Sequence, residues 1–327
     1  MPTTSDWIKR AFLVGALGIG AASATQAQVF PARPIRIILG YSTGGTADNL
    51  GRVIAERLAA RLGQSVLIEN RPGASGNIAA LAVANAAPDG YTLLFGNTAE
   101  MAINKHIMKD MAFNPDADFA PVALIHNVPL GLIVSARSPY RSLGEILDGA
   151  RAAPSRLTLA NSGNGSPAHL AGEMLMARAR IKMVQVPYKG AAPAMMDLIG
   201  GRVDGYFLGM PAVMPHVKGG NVRLIAVSTA RRAAIANDVP SVAEQGMPGF
   251  DFSLWGGIFA PAQTPKDIVG RLNGEILVVL TQPDMRAQLA REGSEVIETT
   301  PDTFARFVQA ESRKYAELLR EIGYRPE

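Results

Sequence analysis

Residues 35–48 of the chain read IRIILGYSTGGTAD, and this stretch indicates the fold. Ile35–Leu39 is an apolar, β-branched run, which predicts a buried strand. The Gly-rich segment 40–46 follows directly, and apolar residues at three- and four-residue spacing then predict a helix over residues 47–62. A buried strand that leads through a Gly-rich loop into a helix is typical of open α/β sheets.

The same strand–loop–helix pattern recurs along the chain. Further strands are predicted over residues 65–69, 91–95, 157–160, 183–186 and 222–227, and further helices over 76–86, 143–152, 168–179, 192–199, 265–280, 283–291 and 302–322. Because strands and helices alternate with short connections, the pattern predicts parallel, doubly wound sheets.

The length of 327 residues suits two α/β domains better than one core. Two apolar stretches, residues 119–134 and 250–259, are predicted to be strands that cross between two lobes. This arrangement makes the first lobe discontinuous, with residues 28–125 and 252–327 on either side of an inserted second lobe, residues 126–251.

The N-terminus has the pattern of an export signal. Lys9 and Arg10 precede the apolar run 11–22, and the small-residue segment 23–27 follows. The run is shorter than the roughly 20 apolar residues that span a bilayer. We therefore predict that residues 1–27 are a cleaved Sec-type signal peptide and that the mature protein is exported.

Composition excludes several kinds of function. The chain has no cysteine, which removes disulfides, thiolate nucleophiles and Cys-ligated metals together. The formal net charge is +4, but no Lys/Arg cluster marks a nucleic-acid surface. We therefore expect no nucleic-acid partner.

Two Gly-rich loops, residues 41–46 and 161–166, each join the end of a strand to the start of a helix. Ligands of open α/β sheets bind outside the carboxyl ends of strands, and helix N-termini attract anions. Neither loop contains Lys or Arg. Recognition of a carboxylate would then rest on backbone amides and on the hydroxyls of Ser42, Thr43, Ser162 and Ser166.

Enzyme motifs are missing from the sequence. The first loop lacks the lysine of a P-loop, no G-x-G-x-x-G follows a strand, and no G-x-S-x-G nucleophile elbow occurs. His169 and Glu173 are one helical turn apart, but no second histidine stands at ligand spacing. We predict no catalytic residue, metal or cofactor. The alternatives are a secreted α/β hydrolase or lyase that uses Ser162 or Ser166 with His169, and a structural module that binds nothing.

Five short stretches resemble a known family: YSTGGTAD at 41–48, ENRPGASGNI at 69–78, PDGYTL at 88–93, VPYKGAAP at 186–193 and DLIGGRVD at 197–204. In this order they resemble the substrate-binding receptors of tripartite tricarboxylate transporters, the Bug family. The resemblance implies a type II periplasmic binding protein fold, in which a two-strand hinge joins two doubly wound α/β lobes. It also implies a cleft between the lobes, where the two loops hold a ligand carboxylate through main-chain amides and ordered water.

The residues and the resemblance together predict a ligand-binding set: Tyr41, Ser42, Thr43, Gly44, Gly45, Thr46, Asn97, Thr98, Ser162, Gly163, Asn164, Gly165, Ser166, His169, Gly190, Ala191 and Phe207. Lys189 is either a cation near the cleft or a solvated surface lysine. Tyr41 and Phe207 are candidates to flank a planar ring of the ligand.

The resulting prediction is a monomeric periplasmic receptor that does no chemistry. It closes on a small organic carboxylate and passes it to the membrane permease subunits of a tripartite transporter or, less directly, to a sensor protein. The sequence leaves open whether the ligand is a mono-, di- or tricarboxylate, an aromatic acid or an acidic amino acid.

Overall fold

A computed structural model of the protein describes residues 30–324, apart from Ser42, Gly44, Gly45, Asn164, Lys189, Glu292 and Glu295. The predicted signal peptide, residues 1–27, lies outside the described residues, as does Lys189. All the elements named below belong to one compact unit that begins at Arg33.

Strands and helices alternate over most of the chain. The strands are β1 (Ile35–Leu39), β2 (Val66–Asn70), β3 (Thr92–Asn97), β4 (Phe119–Ser135), β5 (Thr158–Asn161), β6 (Val184–Pro187), β7 (Gly205–Gly209), β8 (Val222–Val227) and β9 (Ser253–Pro261). The helices are α1 (Thr46–Leu62), α2 (Asn77–Ala84), α3 (Asn104–Ile107), α4 (Leu143–Ala152), α5 (Pro167–Ala179), α6 (Ala191–Ile199), α7 (Met210–Lys218), α8 (Lys266–Leu280), α9 (Pro283–Arg291) and α10 (Pro301–Glu321). Short 3₁₀ turns cover Ala74–Gly76 and Ala234–Ala236, and a π-helical turn covers Ala99–Ile103.

The strands form two groups that share β4. In the first group β2, β1 and β3 pair in parallel, and β9 lies antiparallel between β3 and β4. In the second group β6, β5 and β7 pair in parallel, while β7 and β8 both pair antiparallel with β4.

Strand β4 is 17 residues long and passes from one group to the other. Its residues 119–129 pair with β9, and its residues 130–135 pair with β7 and β8. The parallel pairing predicted from the sequence is confirmed for β1, β2 and β3 and for β5, β6 and β7, whereas the two crossing strands are antiparallel to their neighbours, β9 to β3 and β4 to β7. The order is mixed because β4 and β9 run against the parallel strands at the centre.

The core consists of apolar side chains from both faces of the strands, as expected where helices cover a sheet on both sides. Around β9 it is aromatic: the ring of Phe304 on α10 lies 5.0 Å from that of Phe259 and 6.2 Å from that of Trp255. The Trp255 indole also donates to Glu311 over 3.1 Å, so its polar atom is satisfied. These contacts pack α10 onto β9.

Most predicted elements are confirmed to within a few residues, but the short helix α3, the strand β7 and the helix α7 were not predicted. Strand β7 is short and has glycine at both ends, and α7 contains Pro211 and Pro215. Such residues usually indicate a turn. Among the helices in the described part of the chain, none has the length and apolar character needed to cross a membrane.

Candidate functional site

The first loop is anchored to the neighbouring strand by Asn70, the last residue of β2. Its Nδ2 donates to the carbonyl of Tyr41 at 3.0 Å and to the carboxylate of Asp48 at 2.9 Å. Asp48 is buried in the first turn of α1, where a negative charge is favourable, and Arg52 pairs with it at 3.0 Å. Of the predicted residues here, Ser42, Gly44 and Gly45 lie outside the described residues.

A buried carboxyl group joins the loop after β1 to the loop after β3. The Tyr41 hydroxyl donates to Oε2 of Glu100 at 2.8 Å, and the backbone amide of Asn97 donates to Oε1 at 2.8 Å. Glu100 is fully buried, and this burial raises the pKa of its carboxyl to about 7. Burial and the adjacent carboxyl likewise raise the pKa of Tyr41. Tyr41 is thereby held in one orientation.

The second loop folds around its own side chains. Oδ1 of Asn161 accepts from the Gly163 amide at 3.0 Å, and Nδ1 of His169 accepts from the Gly165 amide at 3.3 Å. Gly163 and Gly165 have φ values of 124° and 74°, which glycine tolerates and other residues rarely adopt. The Ser166 hydroxyl caps α5 by accepting from the His169 amide at 3.3 Å.

These and one further bond occupy three backbone amides of the second loop. The Gly163 amide donates to Asn161 and the Ser166 amide to the Gly163 carbonyl at 3.1 Å, both within the loop, while the Gly165 amide donates to His169 on α5. The expectation that main-chain amides hold a ligand is therefore weaker for these three residues. The Ser166 hydroxyl accepts its cap bond and so keeps its own proton for donation to a ligand.

Both loops open onto a cavity of about 640 Å³. It is lined by Tyr41, Ala47, Ser75, Asn97, Thr98, Ala99, Asn104, Ile107, His126, Val128, Ser162, Gly163, Gly165, Ser166, Pro167, Leu208, Gly209, Pro211, Ala212, Leu254 and Trp255. The lining is largely apolar with a few hydroxyl, amide and imidazole groups, which is typical of a small-molecule site. It draws on both groups of strands and on the shared strand β4.

Three helices of eight or more residues begin at this cavity. Ala47 lies in the first turn of α1, Ser166 and Pro167 begin α5, and Gly209 and Pro211 begin α7. Each helix N-terminus carries a partial positive charge of roughly half a unit. None of the described lining residues is Lys, Arg, Asp or Glu. The helix N-termini, and not basic side chains of the described lining, are therefore the groups that favour an anion here.

Seven of the predicted residues line this cavity: Tyr41, Asn97, Thr98, Ser162, Gly163, Gly165 and Ser166. Thr43 is exposed and does not line it, and Thr46 begins α1. Asn164 lies outside the described residues. His169 accepts from the Gly165 amide and does not line the cavity itself. Gly190 and Ala191, at the start of α6, do not line it either.

Phe207 points away from the cavity. Its ring is 1% exposed and stacks on Phe250 at 6.2 Å, so it belongs to the core. Successive side chains of a strand face opposite sides, and the next residue, Leu208, lines the cavity instead. The interpretation of Phe207 as a flank for a planar ligand ring is corrected accordingly.

Sequence reasoning missed the contributions of β4, β9 and α7. His126 and Trp255 reach the cavity only because β4 and β9 lie side by side at its floor, which depends on long-range pairing. The start of α7 carried one usable signal, since Gly209-Met210-Pro211 places a proline in the first turn of a helix after a strand.

His169 is held as a neutral ring. Its Nδ1 accepts from Gly165, and its Nε2 lies 3.6 Å from Oε1 of Glu173. Burial lowers the pKa of His169 and raises that of Glu173. Both ring nitrogens are thus directed at groups other than Ser162 and Ser166, so the hydrolase geometry is not formed. Among the described residues, no cluster of three or more His, Asp or Glu side chains is arranged to hold a metal ion.

Known proteins of similar sequence and structure have the same architecture. BugT of Bordetella pertussis is 35% identical over 305 residues, which cover 93% of this chain and 94% of BugT. A structure of R. palustris Rpa4515 with adipate superposes with a TM-score of 0.81 at 35% identity, covering 91% of this chain and all of that one. MatC of Rhodopseudomonas palustris with bound malate gives 0.76 at 32% identity, covering 89% and 100%.

Fold and cavity together define a solute-binding receptor with the two-lobe periplasmic binding fold. Residues 50–324 match the pattern of the tripartite tricarboxylate transporter family receptors, TctC. The chain belongs to this family, as its resemblance to Bug proteins predicted. Members of the family are receptors and not enzymes, and the comparisons give no support to the hydrolase alternative.

Proposed function

We propose that this receptor captures a small organic carboxylate by closing two lobes around it and passes it to the permease subunits of a tripartite tricarboxylate-type transporter. The observation that carries the proposal is the meeting of three helix N-termini at a cavity whose described lining has no charged side chain. The adipate and malate bound in the structures of two relatives support the same ligand class.

The lobes in this proposal are residues 28–125 with 252–327, and residues 126–251. The division is supported by β4, whose pairing partners change at Leu130 from β9 to β7 and β8. Closure would bring Tyr41 and Asn97 of the first lobe towards Ser162 and Ser166 of the second. A ligand stabilises the closed form only through its greater affinity for that form.

The proposal places the receptor in the periplasm as a monomer, exported by the signal peptide in residues 1–27. The basic pair Lys9–Arg10 and the apolar run that follows support this location. A sensor protein remains the alternative recipient of the bound ligand.

A thermal-shift screen of the protein without residues 1–27 tests the ligand class. Ligand at 100 times its Kd should add about 2.7 kcal/mol to the free energy of unfolding, which raises the Tm by several degrees. The matched control for each acid is its uncharged amide, which the helix dipoles do not favour. Carboxylate capture is wrong if amides stabilise the protein as well as acids do, or if no acid stabilises it.

Two serine-to-alanine variants test the second loop. Ser166 and Ser142 both cap a helix, accepting from the amides of His169 at 3.3 Å and Glu145 at 3.2 Å, but only Ser166 lines the cavity. Each substitution should cost about 1 kcal/mol of stability.

Only S166A should also weaken the binding of the selected acid, by about tenfold, because it removes a donor to an anion. Isothermal titration of both variants measures the difference. Equal affinities of S166A and S142A would remove Ser166 from the site.

A further inference from the structure

Three residues form a row across the floor of the cavity. Gly256 on β9 is the register partner of Asn97 on β3 and also of His126 on β4. Directly opposed residues of antiparallel strands project to the same face of a sheet. Gly256 has no side chain, and a Cβ there would lie 2.7 Å from Oδ1 of Asn97 and would collide with Nε2 of His126. The two polar side chains therefore lean together over the glycine.

The imidazole of His126 is unsatisfied in this row. The residue is 8% exposed, and neither ring nitrogen makes a hydrogen bond. The Leu254 backbone lies near enough to favour the protonated ring, but its geometry falls short of a hydrogen bond. Burial dominates and lowers the pKa of His126 to about 4, so the ring is neutral and carries one N–H donor.

Leaving such a buried group without a hydrogen-bond partner is unfavourable. The imidazole lies beside the ring of Phe95, with 6.0 Å between the ring centroids, and this contact gives neither nitrogen a hydrogen-bond partner. The side-chain amide of Asn97 can also donate a hydrogen bond to a ligand. Its Nδ2 lies 3.5 Å from Oε1 of Glu100, which is the limit for a hydrogen bond. Two neutral donors thus lie side by side at the cavity.

We propose that Asn97 and His126 form a subsite that donates hydrogen bonds to a second carboxylate of the ligand, and so select dicarboxylates over monocarboxylates. This inference rests on the proposed function, in which the helix N-termini hold the first carboxylate. The nitrogens of His126 are buried, and in this proposal rotation of the ring about its Cβ–Cγ bond turns one of them to the ligand. That torsion has a broad, roughly two-fold distribution, so the ring is not confined to a single orientation about it.

The test compares diacids with monoacids of equal chain length, from four to eight carbons, including adipate with hexanoate, by isothermal titration. Wild-type protein should bind at least one diacid about tenfold or more tightly than its matched monoacid, as one good hydrogen bond to an anion requires. His126→Phe keeps a flat ring without donors and should abolish this preference, while monoacid affinity changes less than about threefold. His126→Gln keeps a donor and should retain part of the preference.

His216→Phe, in the last turn of α7 and outside the cavity lining, is the control and should leave both affinities unchanged. His126→Phe also removes a buried unsatisfied group, so the Tm of the ligand-free variant should stay equal or rise. Wild type that binds acids without preferring diacids overturns the subsite and leaves carboxylate capture standing. The subsite is also overturned if His126→Phe keeps the preference for diacids, or if it weakens the binding of diacids and monoacids equally. Wild type that binds neither kind of acid overturns the proposed function itself.

Discussion

As the pH rises from 4.5 to 7, the titration of Glu100 should lower the free energy of unfolding by roughly 3 kcal/mol. Burial raises the pKa of this carboxyl in the folded protein from 4.5 to about 7. In that interval the unfolded chain releases the proton while the folded protein keeps it. The contribution of Glu100 to stability is therefore fully present below pH 4.5 and is lost as the pH rises through 7.

The Glu100→Gln variant isolates this effect. Glutamine accepts from the Asn97 amide and donates to the Tyr41 oxygen, so the link between the two loops is preserved without a titrating proton. Urea unfolding at several pH values should show wild type losing stability relative to the variant as the pH rises from 4.5 to 7. The same substitution at Glu317, an exposed residue of α10, should leave the wild-type profile unchanged. If the stability of wild type and of Glu100→Gln changed in parallel over this pH range, the raised pKa of Glu100 would be refuted.

Gly257→Ala should destabilise the protein by about 1–3 kcal/mol or more. A Cβ at this position in β9 would lie 2.6 Å from the carbonyl oxygen of Ala123 and would collide with the ring of Phe304. Neither neighbour yields easily, because the carbonyl belongs to the paired strand β4 and the ring is fully buried in the core. Thermal and urea unfolding of the variant measure the loss.

The matched control is Gly274→Ala in α8, where a Cβ would meet nothing within 4 Å. Alanine in an exposed helical position should stabilise by about 0.5–1 kcal/mol relative to glycine. The same glycine-to-alanine substitution should thus destabilise the protein at position 257 and stabilise it at position 274. Destabilisation of equal size at both would show that the close approach of β9, β4 and α10 is not what requires glycine at 257.

Local patterns predicted the parts of the site that depend on neighbouring residues. The strand Ile35–Leu39, the Gly-rich loop and α1 lie together in the sequence, and their apolar spacing sufficed to predict them. Tyr41 and Ser166 were found for the same reason, since each lies between the end of a strand and the start of a helix.

Contacts between distant segments could not be predicted in this way. The histidine in β4 gave no local signal, and it became meaningful only when Gly256 was seen to be its register partner across more than a hundred residues. The orientation of Phe207 depended on which face of β7 meets the core. The occupied amide of Gly165 depended on the side chain of His169, which follows the second loop.

The position of β9 has a consequence for how the molecule is built. Residues 253–261 lie between β3 and β4, so the first group of strands lacks its central member until the C-terminal part of the chain is made. Until then β3 and β4 each have an unpaired edge, and such edges favour association with other chains. Strands joined across so large a sequence separation also form slowly. All strands of the second group precede β9 in the chain, so only the first group depends on the C-terminal segment for its closure.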